Sequence, residues 1–88
     1  MSLHPTKTRL DLLEAVGAGD VLQVPDGDEL LLATFDTTDA EIGVRARRVT
    51  ARIGELEREG WVRLRVDHMT WELTSAGLAV LDRAMGAA

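Results

Sequence analysis

The sequence predicts an α+β fold: a three-helix core, a C-terminal β-hairpin, an extra short N-terminal hairpin and a final helix. Three observations predict it. Residues 7–17 and 45–59 each carry apolar side chains at helical spacing, Trp61–Val66 alternates strictly as a strand does, and Met69–Leu73 returns alongside it.

The first helix, residues 7–17, opens at Thr6 or Thr8, either of which can cap it. Leu10, Leu13 and Val16 form its stripe, and Gly17 and Gly19 stop it. Val21–Val24 is a short strand. Pro25-Asp26-Gly27-Asp28 is a turn, because Pro fixes φ at the corner and Gly accepts positive φ. Leu30–Phe35 is the returning strand. Asp36–Asp39 supplies caps for a short second helix at Ala40–Val44, anchored by Ile42. The third helix spans Arg45–Glu59 with Val49, Ile53 and Leu56 as its core stripe, and Gly60 ends it. In the C-terminal hairpin, Val62, Leu64 and Val66 share one face, and Asp67-His68 makes the turn. Thr74 or Ser75 caps the last helix. Its stripe is Leu78, Leu81 and Met85, with the smaller Ala76, Val80, Ala84 and Ala87 beside it.

With 88 residues there is room for one domain and little surface to shape into a deep pocket. Hydrophobic residues are 45% of the chain and charged residues 28%, a composition that folds. The absence of Cys excludes disulfides, thiolate nucleophiles and cysteine zinc sites. His4 and His68 have no second ligand at metal spacing, so no metal and no cofactor is expected. Neither a phosphate-binding glycine loop nor a nucleophile elbow is present, so a non-enzyme is expected. No apolar run spans a bilayer, and Met1–Pro5 has no signal-peptide core, so the expected location is the cytoplasm.

The net charge of −5 alone argues against a polyanionic partner. Its distribution argues otherwise. Residues 11–43 hold nine acids and no base, whereas residues 44–65 hold seven Arg and three Glu. Such a split fits a bipolar molecule with one basic face. On a helical wheel with Val49, Ile53 and Leu56 inward, Arg47, Ala51, Gly54 and Arg58 point outward, with Arg48 and Glu55 beside them. Gly54 costs the helix about 1 kcal/mol relative to Ala, which points to a close approach to that backbone. Arg48 and Arg52, four apart, repel one another unless an anion sits between them.

The run Arg48-Val49-Thr50-Ala51-Arg52-Ile53 through Glu59-Gly60-Trp61-Val62, then a hairpin, then Leu73-Thr74-Ser75-Ala76-Gly77-Leu78, resembles winged helix-turn-helix DNA-binding domains, bacterial MarR-type regulators above all. The resemblance covers residues 38–82. It implies that the helix before Glu59-Gly60-Trp61-Val62 is the recognition helix, that the hairpin is the wing, and that the chain binds double-stranded DNA as a homodimeric transcriptional regulator or a phage or plasmid accessory factor. The shortened second helix, with Gly43 inside it, and the long 21–35 hairpin depart from the family pattern.

The resemblance also assigns roles. Arg47, Arg48 and Ala51 are candidates for base edges, since recognition helices read bases with their N-terminal residues and Arg pairs bidentately with guanine. Arg45, at the start of the same helix, is a further candidate for contact with DNA. Thr50 and Arg52 are candidates for phosphates, Arg63, Arg65 and His68 for wing contacts, and Lys7 and Arg9 for a flanking phosphate. Trp61 and Trp71 could stack on nucleotides, but the preferred reading has them packing the hairpin onto the body. A second function class stays open: a winged-helix protein-interaction module, or a DNA-mimicking adaptor, using the acidic 11–43 surface. It gains if acids neutralise the seven arginines of residues 44–65.

Overall fold

The computed structural model describes residues 4–25, 32–38 and 47–86. These form α1 (Lys7–Gly17), β1 (Val21–Pro25), β2 (Leu32–Asp36), β3 (Arg47–Arg48), α2 (Thr50–Arg58), β4 (Val62–Leu64), β5 (Trp71–Leu73) and α3 (Ser75–Gly86). The architecture is α+β, with three helices and two small antiparallel sheets among the described residues. The expected helix at Ala40–Val44 lies outside them, as do Arg45 and Ala87.

Helix α1 starts where Thr6 Oγ1 accepts the Arg9 N–H at 3.4 Å, and it buries Leu12, Leu13, Ala15 and Val16. Both α1 and α2 end in the same closure. Asp20 N–H bonds to Ala15 O and Gly19 N–H to Val16 O; Trp61 N–H bonds to Leu56 O and Gly60 N–H to Glu57 O. Each closure needs a left-handed residue at its corner, supplied by Gly19 (φ 81°) and Gly60 (φ 82°).

Strands β1 and β2 pair from Val21↔Asp36 to Pro25↔Leu32, the expected N-terminal hairpin. A third strand joins it. Arg47 and Arg48 pair with Asp36 and Phe35, so the helix expected to begin at Arg45 begins at Thr50. The backbone of 47–48 satisfies its polar groups against β2 instead of within a helix, and its side chains follow strand alternation rather than a helical wheel.

In the second sheet, Val62 pairs with Leu73, Arg63 with Glu72 and Leu64 with Trp71. A Leu22↔Thr70 bridge and a 2.6 Å bond from Gln23 N–H to Met69 O tie it to β1. Strand β4 is shorter than its alternation predicts. Arg65 N–H bonds to Thr70 O and His68 N–H to Arg65 O, which turns the chain outward and leaves Val66 96% exposed.

Helix α3 is capped by Thr74, whose Oγ1 accepts the Gly77 N–H at 3.1 Å. It buries Gly77 and Leu81, and it leaves Leu78 and Met85 exposed, contrary to the expected stripe. The rotation has a steric cause. A Cβ on Gly77 would stand 1.9 Å from the Trp61 carbonyl oxygen, so the Gly77 side of α3 lies flat on the start of β4. The core gathers Leu13 and Val16 of α1, Val21 of β1, Ile53 and Leu56 of α2, Val62 of β4 and both tryptophans. Among the described residues no helix is long and apolar enough to cross a membrane.

Gly77→Ala therefore overpacks the junction. Urea unfolding should show a loss of about 1–3 kcal/mol, the usual cost of forcing a methyl into filled space.

Candidate nucleic-acid interface

Helix α2 is positioned from the first sheet. Val49 N–H donates to Thr34 O at 2.8 Å, and Thr50 Oγ1 accepts the Thr34 N–H at 2.9 Å. Thr50 thus anchors the helix to β2, a different role from the phosphate contact expected of it. One turn earlier, the buried Asp36 carboxylate accepts the Thr38 N–H (2.9 Å) and hydroxyl (2.6 Å), and Arg47 Nη2 stands 3.1 Å away. Burial pushes the Asp36 carboxyl up, but the Thr38 bonds and Arg47 together outweigh it and hold it below the usual carboxylate range.

Two of the three base-edge candidates therefore sit off the helix. Arg47 and Arg48 are exposed on β3. Ala51 and Arg52 are exposed on the first turn of α2, which carries no acid. Arg58 is exposed at the C-terminal end of α2, with Nε 3.2 Å from Gly54 O. Among the described residues the nearest atom to a Cβ on Gly54 is Arg58 Nη2 at 3.8 Å, an ordinary contact.

On the hairpin, Arg63 Nε lies 2.6 Å from Glu72 Oε1 across the strand pair, an exposed ion pair. The turn beyond is braced by Asp67, whose carboxylate accepts the N–H groups of Met69 and Thr70, both at 2.9 Å, and the Thr70 hydroxyl at 2.7 Å. These bonds hold its carboxyl down to about 2. His68 takes the left-handed φ of 59° that closes the turn. Arg65 and His68 are thus exposed on a stiff tip. Both tryptophans are buried, Trp61 at 7% and Trp71 at 5% exposure, so neither offers a ring face for stacking.

Alongside α2 runs a groove shared with α1. One stretch, about 340 Å³, is lined by Thr8, Asp11, Leu12, Arg47, Arg48, Val49 and Arg52. It adjoins about 240 Å³ lined by Thr6, Thr8, Arg9, Leu12, Arg52 and Glu55. There Arg9 Nη2 pairs with Glu55 Oε2 at 3.2 Å, while Arg9 Nη1 donates to His4 O at 2.7 Å. Lys7 is exposed at the start of α1. Beyond Arg47 lies an acidic hollow with Asp11, Glu14, Asp20 and Asp36 in its walls. Among the described residues no group of three or more His, Asp or Glu could hold a metal ion.

Sequence reasoning missed Thr8 and Asp11 as groove residues and Asp36, Glu55 and Glu72 as arginine partners. All five act across different elements, and helical or strand spacing within one element carries no signal for them. Comparison with known protein families, curated proteins and solved structures finds no match for this chain.

Two outcomes follow. Gly54→Ala should stabilise the protein by about 0.5–1 kcal/mol in thermal unfolding, because α2 gains propensity without a clash. The Met69 and Thr70 amide resonances should titrate near pH 2 rather than 3.8. A depressed carboxyl stabilises the folded turn above its unfolded value and loses that contribution as pH falls through the folded one.

Proposed function

We propose that the chain is a duplex-DNA-binding protein of winged helix-turn-helix type, with α2 as its recognition helix and the β4–β5 hairpin as its wing. The observation that carries this reading is the outward face of α2, where Ala51 and Arg52 are exposed on a first turn free of acids. A small residue beside an arginine lets a helix approach a groove floor while the guanidinium reaches a base edge or a phosphate. The braced hairpin tip adds Arg65 and His68. Arg47 and Arg48, on β3, reach the same partner from the flank rather than from the helix. One such surface is small for a tight specific complex, so the working unit is a homodimer reading two half-sites, and the role is regulation of transcription in the cytoplasm of a bacterium or its phage.

The ion pairs Arg47–Asp36, Arg9–Glu55 and Arg63–Glu72, together with the acidic hollow, favour a second reading in which a basic protein docks on the α1 side. The two make opposite demands on α2.

The test is fluorescence anisotropy with a random-sequence duplex across a salt titration. DNA binding is expected in the micromolar range and weakens steeply with salt. Arg52→Ala/Arg58→Ala should weaken it and reduce the magnitude of the log–log salt slope by about two. Absence of binding at about 50 mM salt, in a range where non-specific complexes form readily, would sink the DNA reading and turn attention to a basic protein partner.

A further inference from the structure

We propose that the groove between α1 and α2 seats one phosphodiester strand of the duplex, with Thr8 and Arg52 as facing walls and Asp11 as a built-in brake on affinity. This rests on the duplex-DNA reading and names the part of the duplex that α1 meets. Thr8, Leu12 and Arg52 line both stretches of the groove, so the two adjoin. Its charge is already sorted. Glu55 is taken by Arg9 at 3.2 Å, and the Arg47 guanidinium is held at the rim by Asp36 at 3.1 Å. The larger stretch is lined by Arg47, Arg48 and Arg52 and by the carboxylate of Asp11. Arg52 and Asp11 make no ion pair with any described residue, and both are exposed on the groove.

A phosphodiester matches these walls. Each phosphate offers charged oxygens to a guanidinium and can accept from the exposed Thr8 hydroxyl, and backbone contacts of this kind fix orientation without reading sequence. Leu12, at the groove floor, is buried, so the groove has a solid base that limits how deeply a strand can sink. Asp11 repels the strand that Arg52 attracts. It lowers affinity for all sequences alike and leaves the ratio between sites to the base contacts of α2.

The experiment uses the full chain and the same anisotropy assay with random-sequence duplex. Thr8→Glu places a carboxylate in the wall at the second residue of α1, where an acid favours the helix, so its unfolding midpoint should not fall. Its DNA affinity should fall about tenfold. Asp11→Asn should bind about threefold tighter, the size of effect one removed like charge gives near a screened surface. Sodium phosphate should displace the duplex no better than sodium chloride at equal ionic strength. Thr8→Glu and Asp11→Asn both binding like wild type, while Arg52→Ala/Arg58→Ala is impaired, would overturn the groove and leave the DNA reading standing. Selective displacement by inorganic phosphate would overturn the backbone assignment in favour of a free-phosphate site. A wild-type chain that binds no duplex overturns both.

Discussion

Trp61 donates its N–H back to Leu56 and accepts the Thr74 N–H at its carbonyl, so one residue ties the end of α2 to the entry of α3. The Thr74 hydroxyl reaches back to the Gly60 carbonyl, and Gly77 packs where no side chain fits. Around this knot the indole of Trp61 fills the core with Leu56 and Val62. The hairpin leaves the knot as β4 and returns to it from β5. The angle between α2 and the hairpin, the geometry any groove-binding partner would meet, is set here. A shift of Gly60 out of its left-handed conformation would move three elements at once.

The other end of α2 depends on a different kind of contact. Val49 and Thr50 lock onto Thr34, and Asp36 grips Arg47 beside them. The segment before α2 is consequently a strand on the edge of the first sheet. An α-helix beginning at Arg45 would carry Arg47 and Arg48 around the helix axis. As a strand they stand beside the helix instead, and the basic surface becomes broad and shallow rather than a single ridge. The extra N-terminal hairpin is therefore part of the machinery that places α2, since β2 supplies every one of these anchors.

Local signals in the sequence were enough for much of this. The end of α1 at Gly17 and the start of α3 after Thr74 follow from caps and left-handed glycines, and the pairing of β1 with β2 from the two apolar runs, all read within a few residues, although Pro25 joins β1 rather than the turn expected at Pro25–Asp28, the rest of which lies outside the described residues. The start of α2 was not legible in that way. Arg45 to Arg48 have good helix propensity, and the two-residue strand exists only because Asp36 and Thr34, more than ten residues earlier, offer better partners. Leu78 and Met85 were misread for a similar reason. Helical spacing fits a stripe through Leu81, but the contact of Gly77 with the Trp61 carbonyl turns α3 so that Gly77 and Leu81 face inward. In the candidate site, Ala51 was visible as an exposed position, and Arg52, which the helical wheel sets nearer the core boundary, is exposed because the helix starts only at Thr50, whereas the ion partners of Arg9, Arg47 and Arg63 come from α2, β2 and β5 and leave no periodic trace.

The separation of charge along the sequence does not survive unchanged in three dimensions, and the way it breaks down shapes the interface. Of the acids in residues 11–43, Asp36 folds against the basic segment and cancels Arg47, while Glu55 and Glu72 cancel Arg9 and Arg63. The exposed Arg63–Glu72 pair adds little to stability, about 0–1 kcal/mol. The larger consequence of the three pairs is to fix side chains and trim the positive field at the edges of the surface. Arg52, exposed on the first turn of α2, lines the groove shared with α1 together with Asp11. A molecule of net charge −5 can hold a polyanion only if its attraction is local and short-ranged, within about one Debye length. On the proposed reading, pairing Arg9, Arg47 and Arg63 with acids trims the attraction in that way, so that a duplex would be held by close docking rather than drawn in from a distance.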